Sequence, residues 1–154
     1  MVSATLVSSV DFIVVVLLLI PFLIWFKVSL SYHIIFLLLT YLIISMSIMG
    51  FGSFFAALNC RYRDFRYIIP FALQVGIYVS PVIYLSSSIK SQLKILLFLN
   101  PIAGAIEVCR YAIFGENYNI YWSGVVLSGV IATIFFVFGI LYFLSYERTF
   151  ADEL

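Results

Sequence analysis

The chain is 154 residues long, with 65% apolar and 10% charged side chains and a formal net charge of +1; its mean hydropathy is +1.20. Soluble domains run about 45–50% apolar and about 25% charged, and a domain this small has too little interior to hide several long apolar runs. The composition therefore specifies an integral membrane protein rather than a soluble one, and with basic residues clustered in one loop only it gives no footing to a nucleic-acid partner.

The first apolar segment runs over about 4–26, long enough to cross a hydrocarbon core of about 30 Å. No basic region precedes it and more spans follow, so a cleaved signal peptide is the weaker reading. Pro21 is expected to kink it. Asp11 lies about two turns inside, either as an interfacial carboxylate or as a partner for Arg61, Arg63 or Arg66 on the same side. A turn from Lys27 to His33 leads into a second segment over about 34–58. Its latter half holds Ser45, Gly50, Gly52, Ser53, Ala56 and Ala57. Gly52 with Ala56, and Ser53 with Ala57, are spaced for close backbone approach, within one subunit or across a dimer seam. Gly50-Phe51-Gly52 has no preceding strand and no third glycine, which rules out a dinucleotide loop.

Next comes Asn59-Cys60-Arg61-Tyr62-Arg63-Asp64-Phe65-Arg66. Each arginine would cost about 2.5–3.5 kcal/mol at the bilayer centre, so this run is a water-facing loop. The third segment, about 67–84, has Pro70 near its start, where a first helical turn tolerates it. Tyr67, Phe71, Gln74 and Tyr78 share one helical face. An amide in lipid needs a partner or a wet cavity, which makes this stripe a candidate pore lining, although aromatic residues also gather at membrane interfaces. Ser80-Pro81 is expected to bend or end the segment.

From Leu85 to Asn119 the apolar runs are too short to span. Ser86-Ser87-Ser88 reads as a loop, and two short helices within about 92–114 read as a re-entrant hairpin entering from the outer side. Asn100 is placed as the N-cap of the second helix, Pro101 as its first residue and Gly115 as its stop. Glu107 and Arg110, three apart, can pair. The last segment, about 121–142, carries Gly124, Ser128 and Ala132 on a close-packing face; a short acidic tail, 145–154, follows. The fold class is thus all-α integral membrane, with four transmembrane helices and a two-helix re-entrant hairpin between the third and fourth.

Four crossings put Arg61, Arg63, Arg66 and Arg148 on one side and Lys27, Lys90, Lys94 and Arg110 on the other, an even division of the eight basic residues. The positive-inside count is therefore silent, and only the density of the arginine loop marks it as cytoplasmic. Cys60 and Cys109 fall on opposite faces, too far apart for a disulfide. No catalytic residues are expected. His33 has no ligand-spaced companions for a metal, Ser80 has no histidine base or nucleophile elbow, and no phosphate loop occurs. Any work this chain performs takes its energy from another protein.

Arg61-Tyr62-Arg63-Asp64 after an alanine-asparagine helix end, Ser80-Pro81-Val82-Ile83-Tyr84, Asn100-Pro101, Glu107 with Arg110, and the closing Phe150-Ala151-Asp152-Glu153-Leu154 together resemble permease subunits of type-2 ABC exporters. The polysaccharide branch, which exports O-antigen, capsule or teichoic acid, is the nearest in pattern. The resemblance implies a subunit of a bacterial inner-membrane exporter in which two permease copies form a channel. Two cytosolic ATPase subunits bind the ATP, so this chain holds no cofactor, and the substrate is a lipid-linked glycan moved among membrane lipids. It implies that Arg61, Arg63, Asp64 and Arg66 contact the ATPase, and that Ser80, Pro81, Asn100, Pro101, Glu107 and Arg110 belong to an outer gate. The four crossings would correspond to the last four of the family's six, so a fragment, a truncated reading frame or a split subunit lacking the amino-terminal part is expected. Two other classes stay open: a non-transporting membrane scaffold or remnant, and a small ATP-independent channel or carrier lined by the α-helical stripe.

Overall fold

The computed structural model describes residues 2–28, 32–62 and 64–151, with side chains at 6–28, 32–60, 62, 64–90 and 93–145. The described chain is helical: α1 (Val2–Trp25), α2 (Phe36–Arg61), α3 (Phe65–Val79), α4 (Ser91–Phe98), α5 (Pro101–Phe114) and α6 (Trp122–Ala151), with short 3-10 turns at Tyr32–Ile35, Ser86–Ser88 and Gly115–Asn117. Among the described residues three stretches are long and apolar enough to cross a membrane, Leu6–Trp25, Tyr32–Cys60 and Trp122–Ser145. The all-α membrane class is therefore met.

The centre of the molecule is the pair α2 and α6. They lie side by side and point the same way, because ring contacts follow the same order along both: Phe36 meets Trp122, Phe51 meets Phe135, and Phe54 meets Tyr142. Glycine permits the closest approach. A Cβ on Gly139 would collide with the Gly50 carbonyl, and one on Gly50 would stand 2.6 Å from the Phe135 carbonyl carbon. In lipid, where apolar burial adds no drive, such backbone contact is what holds helices together.

Helix α5 packs against this pair in the opposite sense. Its first turns lie near Ser128 and its last near the starts of α2 and α6, where Tyr111 packs edge-on to Phe36 and Trp122. Ile43, Ala105, Val108, Val125 and Ala132 form the core between the three helices. Phe98, at the end of α4, is fully enclosed beside Gly124 and Tyr121. The face bearing Gly124, Ser128 and Ala132 is thus covered by the hairpin.

The remaining helices are loosely held. Helix α1 meets α2 mainly through Tyr41, by a 2.6 Å hydroxyl bond with Ser9 and ring contact with Phe12. Helix α3 buries none of its residues. Several sequence expectations change here. The third segment is a helix of only 15 residues, ending at Val79 because Ser80 turns to extended backbone ahead of Pro81. It begins at Phe65, so Pro70 lies beyond the first turn and removes the N–H that would have bonded the Arg66 carbonyl. Helix α6 continues to Ala151, so most of the expected polar tail is helical; residues 152–154 lie outside the described ones. Of the small pairs in α2, Ser53 and Ala57 are buried, whereas Gly52 and Ala56 face outward.

Asp11 does not reach Arg66. Its neighbour Phe12 sits at Tyr41, and from Tyr41 to Arg61 is about 30 Å of helix. The Asp11 side chain is exposed, and that span separates it from Arg66, so an Asp11–Arg66 pair is not made; Arg63 and the Arg61 side chain lie outside the described residues.

Candidate functional site

The densest polar arrangement lies where the loop after α3, the hairpin and the start of α6 come together. Asn100 builds the hairpin turn. Its side-chain oxygen accepts the Ile102 N–H at 3.0 Å, and Pro101 occupies the first helical position, where its missing N–H costs nothing. The Asn100 amide nitrogen donates to the Ser80 hydroxyl at 2.8 Å, so one side chain caps α5 and holds the end of α3. Ser128 of α6 closes the turn from the other side, donating to the Phe98 and Asn100 carbonyls at 2.8 and 3.2 Å. At the far end Gly115 adopts φ +58°, a left-handed conformation suited to glycine, with the His33 ring against it.

Glu107 is completely buried on α5. Ser86 donates to its carboxylate at 2.8–2.9 Å, Tyr118 at 3.0 Å, and the Tyr121 main-chain N–H at 3.4 Å. Arg110, one turn on, donates through Nη2 to the Pro81 and Val82 carbonyls at 2.6 and 3.2 Å. Its Nη1 is buried without a partner among the described residues. The expected Glu107–Arg110 pair is therefore not made. Each charge instead holds a piece of the 80–88 loop, because that loop brings buried polar groups that lipid cannot satisfy. Burial raises the pKa of the Tyr118 phenol; contacts from Ser86 and Arg110 oppose the rise and Glu107 adds to it. Tyr118 accordingly stays protonated and acts as a donor.

The six residues assigned to the gate thus fall in one connected region, through Ser80, Asn100 and Pro101 at its lower edge and Glu107, Pro81 and Arg110 at its upper edge. Sequence reasoning missed Ser86, Tyr118 and Tyr121, and took Ser128 only as a packing residue. Ser86 was only one serine in a triplet, and nothing in a 21-residue separation joins it to Glu107. A buried acid demands donors, however, and the nearby hydroxyls were the available candidates.

The stripe on α3 stands apart from this network. Tyr67, Phe71 and Tyr78 are 80%, 68% and 73% exposed, and Gln74 is exposed with them. At the other end of the molecule, Asn59, Asp64, Arg66 and Tyr67 line an open cavity of about 590 Å³. Arg63 and the Arg61 side chain lie outside the described residues, so of the proposed loop contacts only Asp64 and Arg66 are placed, both exposed. Cys60 and Cys109 are both free thiols. Among the described residues no cluster of three metal-ligating side chains occurs.

No curated protein and no solved structure matches the chain. A family model does: that of the ABC-2 type transporter covers residues 1–114, from α1 through the end of α5. This is a family of membrane transport components that do not themselves catalyse, and it implies an ATPase partner. With its long apolar helices, and with that model spanning most of its length, the chain belongs to the ABC-2 type transporter family as a membrane-embedded permease.

Proposed function

We propose that the chain is the permease subunit of an exporter of lipid-linked polysaccharide, of the O-antigen, capsule or teichoic acid kind, in a bacterial inner membrane. Two copies form the channel, and a separate cytosolic ATPase supplies the power. Asp64 and Arg66, with Arg61 and Arg63, contact that ATPase. The hairpin α4–α5, with Ser80, Pro81, Asn100, Pro101, Glu107 and Arg110, forms the outer gate.

The observation that carries the reading is the uncovered stripe Tyr67, Phe71, Gln74 and Tyr78 on a helix that buries none of its own residues. Aromatic faces stack on sugar rings without strong polar traps, which suits a chain that has to slide. A single amide among them adds a point of hydrogen bonding. The test is export measured in cells carrying the exporter with Phe71→Ala and Tyr78→Ala. Surface glycan should fall while the protein remains in the membrane at its normal level. Unchanged export at normal level would remove the stripe from the pathway. In a second arm, Arg66→Ala should reduce the amount of ATPase that co-purifies.

A further inference from the structure

Helix α5 carries two charges that lie three residues apart on one helix, yet neither is used on the other. Glu107 is spent on Ser86, Tyr118 and the Tyr121 N–H, and Arg110 on the carbonyls of Pro81 and Val82, with the Tyr118 phenol in contact with both. Both therefore grip the same loop from one side, Arg110 at its beginning and Glu107 at its end. Arg110 also keeps one buried N–H group in reserve. Side chains at i and i+3 are helix neighbours, so an ion pair between them needs only new side-chain rotamers once the loop has left.

We infer that Glu107 and Arg110 form an exchangeable latch: in one state they hold the 80–88 loop and the 118–121 segment, and in the other they release both and pair with each other. The exchange makes release possible in a place with little water. Pulling the loop away from the buried Glu107 and the half-buried Arg110 would leave a bare carboxylate and a bare guanidinium, an unfavourable outcome. Pairing satisfies both with a charge-assisted bond, so the two arrangements stay close in free energy. Ser86 and Tyr118 are positioning residues for the closed state, since their hydroxyls are the donors that the carboxylate gives up. The loop rests on the end of α3, through Ser80 and Asn100, so its release also frees the outer end of the helix bearing the aromatic stripe. The inference builds on the reading of the hairpin as an outer gate.

Hydrogen–deuterium exchange of the full chain in lipid nanodiscs tests it. Glu107→Gln retains an oxygen for Ser86 and Tyr118 but abolishes the alternative ion pair. The latch predicts that amides in 80–90 exchange about two- to fivefold more slowly in this variant, the effect of losing a helical ion pair in a dry setting. In either case the amide holds the closed state more weakly, because one of the two accepting oxygens becomes an N–H donor; in a static clasp that is the only effect and exchange speeds up, whereas in the latch the loss of the ion pair outweighs it. Unchanged or faster exchange overturns the inference. Should Glu107→Gln not fold, Ser86→Ala serves instead. The latch predicts faster exchange in 80–90 with 101–114 still protected, since the released charges pair on α5. Equal acceleration of both segments, or no change in either, overturns it. None of these measurements requires export, so a failed latch is distinguishable from a failed exporter reading, which the glycan assay decides.

Discussion

The part of the molecule built from α2, α5 and α6 and the part built from α1 and α3 obey different rules, although the second is at least as apolar as the first. In the first, glycines bring backbones into contact and, among the described residues, the buried polar side chains are satisfied, Thr40, Ser47 and Ser53 within their own helix and Glu107 and Ser128 by other elements, Arg110 Nη1 excepted. In the second, large apolar side chains project outward and few bonds reach a neighbour. Hydrophobicity alone therefore does not decide which helices of a membrane protein pack. Small residues and satisfied polar groups decide it, because lipid already solvates leucine as well as protein does.

Substitutions can break this contrast, and the largest effect belongs to the tightest contact. Gly139→Val drives methyl groups into the α2 backbone at Gly50, and should cost about 3 kcal/mol or more, seen as loss of monodisperse protein on gel filtration. Glu107→Ala strands Ser86, Tyr118 and the Tyr121 N–H, and should cost about 2–4 kcal/mol, read from thermal unfolding in detergent together with faster proteolysis in 80–90. Asn100→Ala removes both the α5 cap and the bond to Ser80, for about 1–2 kcal/mol on thermal unfolding, and Asn100→Asp, which restores the capping oxygen but not the amide donor, should recover only part of it. Gly52→Ala meets open space, and Asp11→Asn alters an exposed group. Both should stay within about 0.5 kcal/mol of the parent. A large loss from Gly52→Ala would mean that the outward face of α2 is covered by something other than lipid.

Local signals were legible in the sequence, and tertiary ones were not. Asn100-Pro101 announced the hairpin turn because capping is settled within a few residues, and the two short helices follow from it. The break at Ser80-Pro81 was equally local. Pro70 misled because its place depends on where α3 starts, and Phe65 and Arg66 join that helix despite the charge. Glu107 and Arg110 misled for a different reason. Spacing showed that they can meet, but the loop brought by Pro81 and Ser86 offers each a separate partner, and no pattern within α5 reveals that. Which of the Gly52/Ala56 and Ser53/Ala57 faces turns inward is likewise set by α6, a distant part of the chain.

The common direction of α2 and α6 constrains the chain between them. Two neighbours that both descend through a bilayer oblige the intervening polypeptide to climb back once, and the hairpin cannot do so, since it enters and leaves on the same side. The ascent falls to α3, whose 15 residues rise only about 22 Å against a hydrocarbon thickness of about 30 Å. Such a mismatch is met by a locally thinned bilayer or by polar headgroups drawn inward. The bilayer beside α3 would then present its shallowest barrier to polar groups.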